Sequence, residues 1–475
     1  MTVDIDLCYT PAAELAVAIR ERRLSPVELL EAVLARYEEV NPKINAFVVV
    51  DPDRARAAAK RAEQEVMAGG ELGPLHGIPV SIKDLVPVAG LPTRSGSRTT
   101  SPEPSPVDSV GVSRLKKAGA IVFGKTTTPE FGCKPFTDSP LSGVTRNPWN
   151  LAHSSGGSSG GAAAAVCAGI GPLALGSDGG GSIRIPSTCC GTFGLKPTVG
   201  RVANYPSPNP WNTMSKTGPM TRTVRDAALM LSVIAGRDER DPISSPAPVE
   251  DWVAGLDGDL HGIKMAWSPD LGYCTVDPEV QRLTTAAART FAELGADWEE
   301  AGPGFANPHD VFITYFSGDT FAGRLAHLLP DHQEEMDPYL VGLIELGLRL
   351  TPADMYRAHG RRAELYLAMA RFFEKYDLLL TPALGHPALP AIYDITNGIT
   401  VAGKHFPNLR EGYSPFMFPF NMTGHPAAAV PCGFTAGGLP VSLQIVGRPF
   451  AEGLVLKAAA AFEAARPWAQ HRPPL

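Results

Sequence analysis

Serines set among glycines occur twice in the middle of this chain, at Gly156-Gly157-Ser158-Ser159-Gly160-Gly161 and at Ser177-Asp178-Gly179-Gly180-Gly181-Ser182. Glycine loses more backbone freedom on folding than any other residue, so two such runs carry an ordering cost. Backbone N–H groups aimed at one point would give that cost a use, because they hold an oxyanion or a phosphate. A serine hydroxyl beside such a cradle is a weak nucleophile that needs a positioned base. Upstream, Pro79-Val80-Ser81-Ile82-Lys83-Asp84 places a lysine at the end of a short apolar run.

Two regular patterns compete for this chemistry. Gly119-Ala120-Ile121-Val122-Phe123-Gly124-Lys125-Thr126 fits the spacing of a phosphate loop. Its inner residues are themselves an apolar strand, however, and a strand forms no concave nest of amides. Gly157-Ser158-Ser159-Gly160-Gly161 fits a nucleophile elbow and would make Ser159 the nucleophile of an esterase of α/β-hydrolase type. That elbow follows a hydrophobic strand and uses a late histidine. Residues 147–155 do not read as a strand, and His425 lies in the turn-like Gly424-His425-Pro426. Taken singly, Ser158 reads as a helix N-cap for the alanine run from Ala162, Ser182 as a turn serine and Lys83 as a solvated strand-end lysine.

Taken together and in order, the two glycine clusters and the lysine segment closely resemble the amidase signature family, which uses a Ser–cis-Ser–Lys triad. Further matches are Asn41-Pro42-Lys43-Ile44-Asn45-Ala46, Gly194-Leu195-Lys196-Pro197-Thr198, Gly218-Pro219-Met220-Thr221-Arg222, Pro419-Phe420-Asn421 and Gly438-Leu439-Pro440-Val441. The resemblance therefore runs over nearly the whole chain. It implies an α/β fold with a mixed central β-sheet sandwiched between layers of α-helices, and cleavage of amides through an acyl-enzyme intermediate. It also implies Ser182 as nucleophile, Ser158 as the bridging serine on a cis Gly157–Ser158 peptide, and Lys83 as the ultimate base. The N–H groups of Gly179, Gly180, Gly181 and Ser182 would form the oxyanion hole, with Asp178, Arg184 and Ser159 supporting that loop. Lysine acts as a base only when neutral, so burial away from countercharge must lower its pKa. A strand alternates its faces, which turns the neighbouring Asp84 away from Lys83. One departure is Gly179, which stands where the family commonly carries Thr or a bulkier residue.

The family includes aryl amidases, nylon-oligomer hydrolases and urethanase-like enzymes that cleave carbamates. Another branch is the tRNA-dependent amidotransferase component, whose substrate is a charged tRNA and which carries a Glu-Ala-Ser-Ser-Asn-Leu-type segment before an Arg-Tyr-Asp-Gly run. The corresponding stretch Tyr315-Phe316-Ser317-Gly318-Asp319-Thr320-Phe321 has nothing similar. Bulky groups cluster in the variable segments, and Phe131, Gly132, Tyr205, Trp211, Tyr315, Phe316 and Phe416 are the candidate substrate-binding residues. Together they favour a small apolar or aryl amide, possible carbamates included, with residues 203–214 as a lid. Two serines, a lysine and backbone amides complete the chemistry, so neither a metal nor an organic cofactor is expected. A rival from another class is a binding protein that keeps the fold but is catalytically silent.

The elements that must position these groups alternate between strand and helix, as an α/β sheet requires. Helices are predicted over 11–40 (two of them, the second opened by a Ser25-Pro26-Val27-Glu28 capping box), 52–68, 111–118, 279–296, 351–376 and 451–465. Strands are predicted at 77–84, 120–124, 378–380 and 441–447. No repeat or clean linker divides the 475 residues, so one domain is expected, with a catalytic core at about 76–225 and 376–475 and a helical substrate-side segment at about 265–370. The uncharged run from His153 to Asp178 is rich in Gly and Ala and interrupted by Pro172, which argues for a buried helix over a membrane span. Lys+Arg 42 against Asp+Glu 49 leaves a net charge of −7, unlike a nucleic-acid or anionic-membrane binder. Seven scattered cysteines without zinc-site spacing, and an acidic N-terminus, point to free thiols in the cytoplasm.

Overall fold

The computed structural model describes residues 4–475. Eleven strands build one sheet: β1 Phe47–Val50, β2 Pro79–Lys83, β3 Ile121–Thr126, β4 Leu173–Asp178, β5 Phe193–Lys196, β6 Lys216–Thr221, β7 Lys264–Trp267, β8 Asp297–Glu300, β9 Leu378–Pro382, β10 Ala427–Phe434 and β11 Pro440–Gly447. Their spatial order is β1-β3-β2-β4-β6-β5-β10-β11-β9-β7-β8. Pairing is parallel for β3-β2-β4 and for β9-β7-β8 and antiparallel elsewhere, so the sheet is mixed as expected. Helices cover both of its faces. Every residue of β2, β3, β4, β9 and β11 is buried, polar ones such as Ser81, Lys125 and Gln444 included, which is why those segments are mostly apolar with no regular in–out alternation. The edge strand β8, Asp-Trp-Glu-Glu, carries three carboxylates that discourage pairing with another chain.

The helix starts follow the capping chemistry with one change. Ser25 accepts from the amides of Val27 (3.0 Å) and Glu28 (3.4 Å), but its hydroxyl donates to Glu63 Oε1 at 2.5 Å, and Glu28 does not reach back to complete the box. The helix Pro26–Ile44 continues through Pro42, four residues beyond the predicted end. The uncharged run resolves into a short helix, Gly160–Cys167, and then β4. Among the described residues no helix is long and apolar enough to cross a membrane. Residues 265–370 are less uniformly helical than expected. Met265, Ala266 and Trp267 are buried in β7, the helix Pro278–Glu293 and then β8 follow, and helices run without an intervening strand only from His309 to Lys375.

The sheet sets the position of the chemistry. β2 lies between β3 and β4, so the end of β2 (Lys83) is next to the end of β4 (Ser177, Asp178). A separate apolar cluster, built from Phe131, Met214, Phe312, Tyr315, Phe316, Phe321, Phe418 and their neighbours, lies over that end.

Candidate active site

Lys83 is the last residue of β2 and is wholly buried. Its Nζ lies 2.6 Å from Ser158 Oγ and 3.3 Å from the Ser177 carbonyl. Among the described residues no carboxylate pairs with it. Asp84 is turned away as expected: its carboxylate lies 3.0 Å from Lys125 Nζ and accepts the Arg94 amide. Burial pulls the Lys83 pKa down from 10.5 to about 7, against a smaller upward pull from the Asp178 charge. The same Asp84–Lys125 pair disposes of the phosphate-loop pattern, since Lys125 is a buried β3 residue committed to a structural partner.

Ser158 follows a cis peptide, Gly157–Ser158, and is 2% exposed. The glycines before it are required by close approach. A Cβ on Gly157 would sit 2.7 Å from the Phe136 backbone, and one on Gly156 would sit 2.9 Å from Pro186 Cα. Thr137 fastens the loop from outside, donating to the Gly156 carbonyl (2.8 Å) and accepting the Gly160 amide (3.1 Å). Ser159 caps Gly160–Cys167 without a side-chain cap bond. Its Oγ instead donates to the Ser177 carbonyl (3.1 Å) and accepts the Ser177 amide (3.3 Å). That locks its hydroxyl to β4, and it is not poised as an elbow nucleophile. Residues 150–154 do form a strand, contrary to the sequence reading, but one outside the main sheet, paired with 146–147 and bridged through His153 to Pro390. His425 packs against the rings of Tyr366 and Phe373.

The second glycine run leaves the end of β4 and enters the helix Arg184–Cys190. The Ser159 amide donates to the Ser182 carbonyl at 3.1 Å, which joins the two serine clusters. Ser182 is half-buried, and its hydroxyl makes no hydrogen bond to the described residues. Of the four amides expected to form a cradle, one is engaged within the loop. The Gly181 N–H donates to Asp178 Oδ1 at 2.7 Å, whereas the amides of Gly179, Gly180 and Ser182 have no acceptor among the described residues. Gly181 keeps a shaping role, since its φ of +115° and the 2.6 Å from a built Cβ to Met417 exclude a side chain. Gly180 is equally constrained, with a built Cβ 2.7 Å from the Phe312 ring. Gly179 has looser surroundings, the nearest atom lying at 3.7 Å on Ser215.

Asp178 and Arg184 are bonded to each other and to this loop. Asp178 Oδ2 accepts from Arg184 Nε (2.9 Å) and the Ile183 amide (3.1 Å), while Oδ1 accepts from Arg184 Nη2 (3.0 Å). Burial alone would raise the Asp178 pKa. The Arg184 charge and hydrogen bonds outweigh burial and hold the carboxyl well below the usual carboxylate range. Arg184 also donates to the Met417 carbonyl (3.1 Å), Gln444 Oε1 (2.7 Å) and Asn421 Oδ1 (2.7 Å). Asn421 returns a bond to Asp178 Oδ1 at 2.8 Å. Neither Asn421 nor Gln444 was singled out in sequence for a role here. The signal available was the Pro419-Phe420-Asn421 match, which carries no information on what the amide would touch.

The candidate pocket residues divide. Phe131, Tyr315 and Phe316 share one apolar cluster with Phe312, whose ring stacks on Phe316 and Phe418 at 4.9 Å each. Phe131 and Gly132 have positive φ (48° and 75°), and a Cβ on Gly132 would lie 3.2 Å from Ser158 Oγ. Phe312 was overlooked because it sits among other aromatics with no motif around it. Phe416 does not belong with them; it packs in the core with Leu379, Phe420 and Val441. Trp211 is 70% exposed, and the Tyr205 ring lies 4.4 Å under Arg240, so neither lines this cluster. Their loop is tied to the helical segment by Asn209 and Asn212, which donate to Asp319 at 3.2 and 2.7 Å.

A buried lysine in contact with one serine, a second serine beside a loop of free amides and a mixed sheet beneath them form an arrangement able to carry acyl transfer. The family model described as Amidase matches residues 28–456, and the chain belongs to the amidase signature family. It is 42% identical over 471 residues to an acylamidase of Rhodococcus erythropolis, covering 98% of both chains. It is 35% identical over 484 residues to a glutamyl-tRNA(Gln) amidotransferase subunit from Geobacter metallireducens, covering 96% of this chain and 97% of that one. Among solved structures, a bacterial aryl acylamidase of the amidase signature family superposes with a TM-score of 0.91 at 32% identity, covering 97% of each chain.

Proposed function

We propose that this protein hydrolyses small, mainly apolar or aryl amides through an acyl-enzyme on Ser182, with Ser158 and Lys83 as its proton relay. The observation that carries the reading is the 2.6 Å contact between Ser158 and a buried lysine whose pKa is lowered to about 7. In the first half-reaction Ser182 Oγ attacks the amide carbonyl carbon while its proton passes to Ser158 Oγ and that of Ser158 to neutral Lys83. The amides of Gly179, Gly180 and Ser182 receive the negative oxygen of the tetrahedral intermediate. Collapse breaks the C–N bond, and the proton returns along the relay to the departing amine. Water then repeats the sequence on the acyl-Ser182 ester and releases the acid.

The similarity to an acylamidase and an aryl acylamidase, together with the aromatic cluster around Phe312, supports the amide substrate class. Carbamates, which present the same carbonyl geometry, fall within the proposed range. The seven unpaired cysteines suit a reducing, cytoplasmic setting.

The test is covalent labelling with a fluorophosphonate followed by peptide mass spectrometry. The expected adduct is on Ser182 and is lost in Lys83→Ala. An adduct on Ser159, or one on Ser182 that persists undiminished in Lys83→Ala, would sink the proposed relay.

A further inference from the structure

Five arginines are buried in this protein: Arg36, Arg184, Arg201, Arg222 and Arg410. The first four are well supplied with acceptors. Arg36 bonds the Ala168 carbonyl and Glu39, and Arg201 bonds Glu452 and the carbonyls of Pro248 and Phe450. Arg222 bonds the carbonyls of Val166, Gly171, Cys8 and Thr10, and Arg184 is saturated as described. Arg410 is the exception. It is 3% exposed, and its guanidinium donates only from Nη2, to the Cys133 carbonyl at 2.9 Å. Its Nε has no partner, and among the described residues no carboxylate lies in ion-pair range of it.

A guanidinium taken out of water without a countercharge is a large desolvation cost, normally met by an anion. The acids nearest in the fold are already engaged. Glu411 accepts from Asn307 (3.2 Å) and lies 3.8 Å from His309. Asp337 and Asp138 both pair with Lys134, and Glu130 accepts from Ser97 Oγ and the Asp337 amide. A second buried polar atom in the same surroundings is also idle: His309 Nε2 lacks a partner, and its ring packs on Phe418.

Arg410 borders the candidate site from two sides. Cys133, its acceptor, follows the Gly132 whose built Cβ comes within 3.2 Å of Ser158 Oγ. Its guanidinium also lies 4.8 Å from the Phe316 ring and 5.7 Å from that of Phe312, the ring packed on Gly180. We propose that Arg410 anchors a carboxylate carried by the substrate, so that the preferred amides have an apolar or aryl body ending in an acid group remote from the scissile bond. The aromatic cluster would take the body of such a molecule and Arg410 its charged end. This rests on the amide-hydrolase reading of the same site.

The experiment compares two matched pairs of anilides: N-phenylsuccinamate against butyranilide, with the acid on the acyl side, and 4-acetamidobenzoate against 4-methylacetanilide, with the acid on the amine side. In the wild type the acid of at least one pair is expected to have tenfold or more higher kcat/KM than its neutral partner. Arg410→Met should lower that acid-to-neutral ratio at least tenfold, and Arg410→Lys should retain more of it than Arg410→Met. A ratio equal in wild type and both variants, with all substrates slowed together, would overturn the proposal and leave Arg410 a support for the Cys133 loop. Calorimetric binding of the same four compounds to Ser182→Ala separates the anchor from the chemistry. Acid binding that depends on Arg410 without any turnover by the wild type would keep the anchor and refute the hydrolase reading. Equal binding of acids and neutral partners would refute the anchor.

Discussion

The depressed lysine makes the most demanding quantitative prediction. With its pKa at about 7, Lys83 is about one-tenth neutral at pH 6, half neutral at pH 7 and almost wholly neutral at pH 9. If neutral Lys83 is the base, kcat/KM rises about tenfold from pH 6 to a plateau near pH 8–9. A solvated lysine at 10.5 would instead give about a thousandfold rise over that range with no plateau. The same shift has a consequence for stability. Because the folded-state value lies below the unfolded one, the unfolded chain binds more protons between pH 7 and 10.5, so stability climbs with pH across that window and is flat below it. The span, from 10.5 to about 7, corresponds to something on the order of 5 kcal/mol. Lys83→Met removes this dependence, so it should gain on wild type at pH 7 and lose that advantage as pH approaches 10.5. Lys196 and Lys216 are also buried and lowered, to about 7 and about 8, but they are present in both proteins and cancel in the difference. The assays are a pH series of kcat/KM on an anilide and chemical denaturation of the two proteins at pH 7 and pH 10. Activity still rising tenfold per pH unit at pH 9, or a wild-type-minus-variant stability difference independent of pH, would refute the reasoning.

Gly180→Ala places a methyl group 2.7 Å from the Phe312 ring, so it should cut kcat by about 10²-fold by displacing an oxyanion donor; a companion Phe312→Ala should recover part of the loss, as steady-state kinetics can check. Wild-type kcat in Gly180→Ala would remove this amide from the proposed cradle. Arg184→Met leaves the Asp178 carboxylate buried and unpaired, so denaturant titration at pH 7 should give a loss of about 3–5 kcal/mol. The Asp178 carboxyl, no longer held down by its partner, should then titrate above its wild-type range, so that part of the loss is regained on acidification. A stability change under about 1 kcal/mol would mean the pair is dispensable.

Much of this site was legible in the sequence because its chemistry is tied to local patterns. Lys83 closes an apolar run, Ser158 and Ser182 sit in glycine clusters, and each cluster announces a backbone with unusual freedom. What could not be read was which amides remain free. Gly181 stands in the same glycine run as Gly180, yet its N–H is spent on Asp178, an outcome set by the turn's geometry. The long-range partners were equally silent, because Gln444 lies 260 residues from Arg184 and reads as an ordinary strand residue. Aromatic assignments divided for a related reason. Phe316 and Phe416 are indistinguishable as sequence features, and only packing separates the cluster over the strand ends from the core behind β9 and β11. Strand β7 and the edge strand β8 were missed because they are four residues each, and in β8 polar residues stand on both sides of a single tryptophan.

The reach of Arg184 also has a meaning for vectorial synthesis. Lys83, both serine clusters and Arg184 leave the ribosome early, but the acceptors that fix Arg184 follow 233 residues later at Met417, 237 at Asn421 and 260 at Gln444. At a typical rate of 5–20 residues per second, the last of these emerges roughly 13–50 s after Arg184. During that interval the nascent chain holds Lys83, Ser158 and Ser182 but lacks the late acceptors that fix Arg184. The frame around the proposed centre closes only once strand β11 has been translated and inserts between β10 and β9.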